Sequence, residues 1–529
     1  MSSIVRQKVG AAIYLYESTS FRNKDGKPRN KRIPIGKIDQ ASGQPIYKQE
    51  YLDRMAASGH PIVPSPLLSR FSIHDIHHSS IREYGLFYLF TRLAEKMGLL
   101  GVLRTVFPGQ WEELFNLVAY LIATGDPYSY CEDWLEQAEA YPAGALSSQR
   151  ISELLSGITA EERDDFYRQW CLLRSEKEYL ALDITSASSY SELIGSVEWG
   201  YNRDEENLPQ INICLLMGQE SRYPIYQSVY AGSLTDVTTL RTTLSMFRAV
   251  AGEKPLIVVM DRGFYSEKNV TAMLKDTHID FVISLPFTST FALDLIQSER
   301  NDIDTLNNTI VHGNEALRAV TIVCRWDNEQ EIYAHVYYNA RKAQGIREDL
   351  YMQVATLRDQ AMRLPERYSS NKDYKKYLDI RRSEADGGQY TVTVREDVVE
   401  AELMTSGWMV LITNRVGDAK EALTIYRDKD VVEKGFLRLK NSLDVGRLRV
   451  HSEKTMQNKV FVAFIALILQ SAIHTIMVEQ KLYRTMTMRK MILTLSKLKV
   501  QMVQGVRILF PVTKEQRDIY EAFGFPQPV

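Results

Sequence analysis

The sequence predicts an α/β protein: a three-stranded meander continued by parallel strands, preceded by a helical domain and interrupted late by a β-rich stretch. Three observations predict it. From 179 to 284, apolar runs of strand length and amphipathic helical spacing follow the order strand, strand, strand, helix, strand, helix, strand. From Ser80 to Glu176, apolar residues recur at three-four spacing, as in IREYGLFYLFTRLAEKMGLLGVLRTVF and WEELFNLVAYLIATG. Two of the apolar runs lead into aspartates, and a later helical stretch holds a lone carboxylate between lysines.

The chain has 529 residues, so several domains are expected. An apolar content of 45% and a charged content of 25% suit a globular protein with a large core. A formal net charge of −2 excludes a global basic field, so any polyanionic partner has to meet local basic patches. Cys131, Cys171, Cys214 and Cys324 are dispersed without a CxxC, which reads as buried thiols in a reducing compartment. No secretory leader pattern opens the sequence, and a cytoplasmic location is expected.

Residues 1–60 read as a basic β-hairpin arm turning at Asp25-Gly26. Residues 1–56 carry eleven Lys/Arg against five Asp/Glu, and Arg22, Lys24, Lys27, Arg29, Lys31 and Arg32 crowd the turn. The arm is either a phosphate-contacting element or a solvated loop tip. Pro61 to Ser69 reads as a linker. His74, His77 and His78 form the one histidine cluster; without further ligands nearby it reads as a polar helix entry rather than a zinc site. Residues 70–176 are helical, and Thr159 with Glu162 makes a capping box for the helix crossing Phe166 and Trp170.

The core's first part spans 177–285. Strands are expected at 179–185, 210–217 and 223–230, a helix at 236–250, a strand at 255–260, a helix at 266–276 and a strand at 279–284. The crossover lengths suit parallel pairing after the first meander. Asp183 follows the apolar residues of YLALD in the first strand, and Asp261 ends PLIVVMD at the tip of the fourth. A carboxylate on a buried strand is costly unless hydrogen bonds, a cation or a metal offset its desolvation. Arg262 and Gly263 then turn the chain, and Ser266 caps the next helix. Residues 286–406 interrupt the core, with a hairpin in AVTIVCRW and EIYAHVYYNA, a charged helical stretch from Arg341 to Arg367, and β-like sequence near Tyr390.

The core resumes over 407–480. Thr424 to Leu443 reads as one amphipathic helix. At about 100° per residue, Tyr426, Lys429, Glu433 and Lys440 share a polar stripe about 60° wide. Ile425, Val432, Phe436, Leu439 and Leu443 form an apolar stripe beside it. An ordinary surface helix with i,i+4 charge pairs has the same pattern. What sets Glu433 apart is the pair of strand aspartates upstream.

These residues together resemble the DDE transposases of bacterial insertion sequences, and among them the group with a Y-(2)-R-(3)-E-(6)-K signature. The signature stands here as Tyr426, Lys429, Glu433 and Lys440. Lys429 replaces the arginine, keeping charge but losing the bidentate fork; Arg427 is two residues away. The D-x-G-F/Y block is Asp261, Gly263 and Phe264, and Asp183 with Thr185 matches the first aspartate.

The resemblance covers about Ser80 to the C-terminus. It implies an α/β fold with a ribonuclease-H-like catalytic core, interrupted by a β-rich insertion domain and preceded by an N-terminal helical domain. The implied reaction is metal-dependent DNA cleavage and strand transfer. Asp183, Asp261 and Glu433 would be both the catalytic residues and the ligands of two Mg²⁺ ions, with Mn²⁺ as a substitute. The implied partners are double-stranded DNA, as terminal inverted repeats and target, and a second copy in a homodimeric synaptic complex. Tyr426 and Lys440 would contact DNA phosphates, with Lys429 and Arg427 beside them. Trp326 or Trp408 would be candidates for stacking on a flipped base, against an ordinary place in the core.

From Asn441 on, thirteen Lys/Arg face six Asp/Glu, and Arg447 and Arg449 are placed to line a DNA groove. VFVAFIALILQSAIHTIMV nearly reaches membrane-spanning length, but Gln470, Ser471, His474 and Thr475 interrupt it, so it reads as a buried helix and no membrane is expected. Residues 481–529 are expected to be helical, the last helix capped by Thr513 with Gln516. The alternatives are a nuclease of the same fold and a repurposed, non-catalytic DNA-binding protein. A paired-carboxylate glycosidase gives no reason for the flanking lysines.

Overall fold

The computed structural model describes the chain except residues 1, 11, 23–27, 39–44, 58–78, 143, 174–177, 253–254, 328–329, 383–388 and 504–505. His74, His77, His78, the linker at 61–69 and the Asp25-Gly26 turn with Lys24 and Lys27 therefore lie outside the described residues. The rest falls into two compact units, Met1–Ile81 with Val500–Phe510 and Arg82–Lys499 with Pro511–Val529.

In the first unit the expected hairpin is the pair Ala12–Arg22 and Pro28–Ile38, which runs from Arg22 opposite Pro28 to Tyr14 opposite Lys37. It belongs to a four-stranded antiparallel sheet with Ser2–Val9 and Pro45–Tyr47. Leu15 and Ile35 meet Tyr51 of the helix Gln49–Ala57 in a small core. Arg29, Lys31 and Arg32 are exposed. The C-terminal stretch, expected to be helical, is only partly so. Val500 pairs with Leu509 and Val503 with Val506, because Val500, Val503, Val506 and Ile508 are β-branched and favour extended backbone over a helix.

The second unit begins with helices Gly85–Lys96, Leu99–Val106, Trp111–Thr124, Cys131–Gln137, Ser148–Gly157 and Ala160–Leu172. The last opens on a capping box. The Thr159 hydroxyl accepts the Glu162 N–H at 3.1 Å, and the Glu162 carboxylate accepts the Thr159 N–H at 2.8 Å. Trp170 on the same helix is fully buried, and its indole N–H donates to the Pro224 carbonyl at 2.9 Å.

The core follows as β1 (Leu180–Ser188), β2 (Gln210–Gly218), β3 (Pro224–Ala231), α1 (Asp236–Ala251), β4 (Leu256–Met260), α2 (Glu267–Leu274) and β5 (Ile279–Ser284). These elements have the order read from the sequence. Then come β6 (Thr309–His312), β7 (Glu315–Trp326), β8 (Gln330–Tyr338) and β9 (Trp408–Thr413). Among the described residues they make one nine-stranded sheet, in the order β6-β7-β8-β9-β5-β4-β1-β2-β3. β1, β4 and β5 run parallel, and β2 is antiparallel to both neighbours.

The stretch expected as an insertion thus divides in two. Its hairpin, β7 with β8, extends the central sheet through β9, which is antiparallel to both β8 and β5. Residues 340–403 form a lobe with its own core, where Leu350 and Val354 of the helix Ala340–Arg363 pack with Tyr374, Tyr377, Leu378 and Val399. Trp326 and Trp408 both have internal partners. Trp326 donates to the Thr271 hydroxyl at 2.9 Å, and Trp408 is buried with its ring 4.8 Å from that of Tyr338.

Past β9 the expected single helix is two, α3 (Ala419–Arg427) and α4 (Asp430–Ser442). The backbone tightens between them, with Lys429 N–H bonding to the Tyr426 carbonyl and Val432 N–H to that of Lys429. These i,i+3 bonds shorten the turn and change the phase of everything after Arg427. α4 lies on β1 and β2, and at Gly435 an added Cβ would come 2.4 Å from the Met217 sulfur. α5 (Glu453–Glu479) is long and apolar enough to cross a membrane, but 83% of its most apolar window is buried in the protein. Near its start, before the apolar run, Asn458 donates to the Leu155 and Ile158 carbonyls at 2.6 and 2.9 Å.

Candidate active site

The pairing of Leu182 with Met260 fixes the two aspartates. One step further along these parallel strands, Asp183 and Asp261 occupy the same level of the sheet. Asp183 is half-buried within β1, and one of its oxygens accepts the Ile184 N–H at 2.8 Å. Burial pushes its carboxyl up to about 6; the Lys429 ammonium and that N–H pull it back, and the charge of Asp261 adds to the rise. Asp261 ends β4 and caps the short 3₁₀ turn Arg262–Phe264 by accepting the Arg262 N–H at 2.8 Å. A Cβ on Gly263 in that turn would stand 2.8 Å from an Asp236 oxygen, so the Asp236 carboxylate, which pairs with Arg203, would have to turn to admit one.

α3 and α4 bring the remaining groups. The Tyr426 hydroxyl donates to Asp261 Oδ1 at 2.8 Å. Burial, then the charge of Asp261, hold this phenol above the usual tyrosine range, so it stays a donor. Lys429 is buried, with 6% of its side chain exposed, and its Nζ lies 3.2 Å from Glu433 Oε1 and 3.8 Å from Asp261 Oδ2. Burial pulls the ammonium down, but Asp183, Asp261 and Glu433 outweigh it and leave its pKa raised. Three carboxylates from a strand, a strand tip and a helix therefore converge on one cation. Glu433 is the outermost, with 60% of its side chain exposed.

The cations singled out on and beyond the helical stretch, Lys440, Arg427, Arg447 and Arg449, have partners on this chain. Lys440 Nζ meets Asp204 at 2.6 Å, and Arg447 meets Glu206 at 2.7 Å. Arg427 binds His312 at 2.9 Å and Glu315 at 2.6 Å, and Arg449 binds Asp444 at 2.7 Å. Sequence reasoning missed Asp204, Glu206 and Arg203, which come from the irregular segment between β1 and β2. Arg203 pairs with Asp236 and adds positive potential at Asp183. The only hint of them was a charged run, NRDEEN, between two apolar ones. Beyond α4 the chain returns to β1, where Ser188 bridges to Arg447. Lys459 of α5, with 3% of its side chain exposed, pins this return by donating to Asp444 at 3.0 Å and to the Leu448 carbonyl at 3.1 Å.

The donor set suits a hard divalent cation: three carboxylates, one of them carrying an unfavourable buried charge, around a point that already accommodates positive charge. As placed, they are spaced around the lysine. Among the described residues no three acidic, histidine or cysteine side chains are closed into a metal cage.

A family model described as "Transposase DDE domain" matches residues 174–469, more than half of the chain. The chain belongs to the DDE transposase family. This transposase has no match among curated proteins. Of solved structures, a cryo-EM structure of the piggyBac transposase synaptic complex with hairpin DNA is similar with a TM-score of 0.36 and 10% identity, over 77% of this chain and 70% of that one. The sheet with its helices is the α/β fold of a DNA transposase, and DNA is its partner.

Proposed function

We propose that this transposase cuts at the terminal inverted repeats of a bacterial insertion sequence and joins the freed 3′ ends to target DNA, with Asp183, Asp261 and Glu433 as its catalytic carboxylates. The observation that carries this reading is their convergence on the Lys429 ammonium from three separate elements. The strand order β3-β2-β1-β4-β5, with β2 alone antiparallel, supports a ribonuclease-H-like core in which β1 and β4 carry the two aspartates.

Asp183, Asp261 and Glu433 would hold two Mg²⁺ ions, or Mn²⁺ in their place, which supply charge stabilisation for the attacking and leaving oxygens of phosphoryl transfer. The rest of the chemistry is the chain's own. Tyr426 fixes one oxygen of Asp261 and leaves the other facing the site. Lys429 balances the carboxylates' charge and withdraws toward the scissile phosphate when the site is loaded. Lys440, Arg427, Arg447 and Arg449 exchange their carboxylate partners for DNA phosphates, which the same donors recognise. Water attacks first at the element's ends; the freed 3′ hydroxyl then attacks the target. Concerted cutting of two ends suits a homodimer acting on DNA in a prokaryotic cytoplasm.

The test is cleavage of labelled DNA carrying the element's own end, by wild type, Glu433→Gln and Asp261→Asn, in Mg²⁺ and in EDTA. Nicking in Mg²⁺ alone, lost in both variants while end binding persists, is the expected result. Cutting by Glu433→Gln would sink the assignment. Cutting without joining of pre-cut ends would point to a nuclease, and binding without cutting in every condition to a repurposed DNA-binding protein.

A further inference from the structure

Outside the carboxylate site, α4 carries a second group of charges. Lys434 and Arg438 stand about 100° and 140° round the helix from Glu433. With Arg222, from the turn between β2 and β3, and His474 of α5, they line a cavity of about 180 Å³. Lys434 is satisfied by Asp430 at 2.6 Å. Among the described residues neither Arg222 nor Arg438 has a carboxylate within ion-pair distance. Arg438 is half-buried, and burial, with Arg222 adding to it, holds its guanidinium below the usual arginine range. Burial, then Arg438, Arg222 and Lys434, push His474 down to about 4, so the ring is neutral at pH 7. Its Nδ1 is taken by the Tyr483 hydroxyl at 2.7 Å, which leaves Nε2 for a ligand. The remaining acid, Asp428, is exposed and also lines the cavity; burial, then Asp430, hold its carboxyl above the usual range, while Arg222 and Lys434 pull it back.

A half-buried guanidinium without a counter-ion, facing a second one, is costly unless an anion joins them. Two arginine forks and a neutral imidazole are a phosphate-binding set. We propose that this cavity binds a phosphate oxyanion, and that its natural source is the backbone of DNA crossing α4. Continuity favours that source. Glu433, Leu437, Asn441 and Lys434 are all exposed and occupy successive positions round the helix, so one solvent-facing arc joins the carboxylates to the cavity. Assigning the phosphate to DNA rests on the transposase reading of the carboxylate site. Free phosphate tests the cavity without it.

The experiment uses the full chain, as wild type, Arg438→Gln and Arg222→Gln. Thermal unfolding is measured in sodium phosphate and in sodium chloride of equal ionic strength, and affinity for a non-specific duplex is measured against salt. Phosphate raises the wild-type Tm over its value in chloride by more than either Gln variant's, which keep only the general stabilisation that phosphate gives any fold; Arg438→Lys, which keeps the charge, retains part of the extra response. For DNA, the slope of log K against log salt falls by about 1 in each Gln variant. Phosphate stabilisation without a change in slope assigns the cavity to free phosphate. No phosphate-specific stabilisation and no change in slope overturn the proposal. Arg222 is exposed, so its variant carries the test even where Arg438→Gln disturbs packing. Neither readout involves cleavage, so failure of the carboxylate assignment leaves this result standing.

Discussion

Replacing Lys429 by methionine tests the electrostatics of the candidate site most directly. At 3.2 and 3.8 Å, with an effective dielectric constant near 20, the ammonium gains about 4–5 kcal/mol from each of Glu433 and Asp261. Those carboxylates are 60% and 43% exposed, so solvent screening reduces each to about 1 kcal/mol. Asp183 is the partner that water reaches least, and removing the lysine leaves its half-buried carboxylate with only the Ile184 N–H and the weaker pull of Arg203. Breaking a fully buried pair costs about 3–5 kcal/mol. With two partners able to turn to solvent, the loss in Lys429→Met at pH 8 in EDTA should be about 2 kcal/mol. A divalent cation should offset most of it. Without the lysine an ion meets three uncompensated carboxylates, and a tenfold gain in affinity adds about 1.4 kcal/mol at saturation. Urea unfolding followed by tryptophan fluorescence, in EDTA and in MnCl₂, measures both. A variant as stable as wild type in EDTA, or one gaining no more than wild type from Mn²⁺, would refute the argument that Lys429 is the counter-ion of these carboxylates.

Other outcomes follow from single contacts. Tyr426→Phe removes the hydrogen bond to Asp261 Oδ1; cleavage should fall about tenfold, the worth of about 1.4 kcal/mol in the transition state, with end binding unchanged in a gel-shift assay. Lys459→Met takes a buried donor from Asp444, which keeps Arg449, and from the Leu448 carbonyl, and should cost about 1–3 kcal/mol by denaturant unfolding. Asp183 gives a pH signature. Its folded pKa of about 6 lies above the unfolded value, so ionisation costs the fold: the penalty is absent below about pH 4 and complete above pH 6, where it reaches about 3 kcal/mol. In EDTA, Asp183→Asn should therefore be the more stable protein at pH 7.5 and lose that advantage at pH 4; a constant difference across this range would contradict the burial argument.

The strands and helices from 180 to 284 were legible because their apolar runs are short, punctuated and alternate in period, and Asp183 and Asp261 meet because parallel neighbours in that order must bring them level. The Asp261-x-Gly263 block was legible as a motif, but its physical cause, the approach of Asp236, comes from a helix starting 25 residues earlier. The turn at Asp428-Lys429 was not legible. A stripe drawn at constant angle assumes constant winding, so it put Lys429 on the outer face, whereas the tightened turn sends it inward among the carboxylates. Nor could hydropathy show that β7 and β8 join the core sheet, because it marks strands without naming their partners. The acidic partners of Lys440 and Arg447 lie more than 200 residues upstream, beyond any local pattern.

The seam at Asn339 and Gly407 has a consequence for engineering. There the Asn339 N–H donates to the Gly407 carbonyl at 2.8 Å, so the two ends of the 340–403 lobe leave the sheet at one point. Gly407, at φ +79 and with a Cβ position 2.6 Å from Ala343, makes the tight exit. The lobe is in effect a cassette with its own core and adjacent termini, which a short glycine linker could replace. A cut across the whole of 286–406 would instead strip β8 from β9 and bare the edge of Val410, Leu411 and Ile412, an open invitation to intermolecular pairing. Shortened forms of this transposase should stay soluble only when the cut follows the seam.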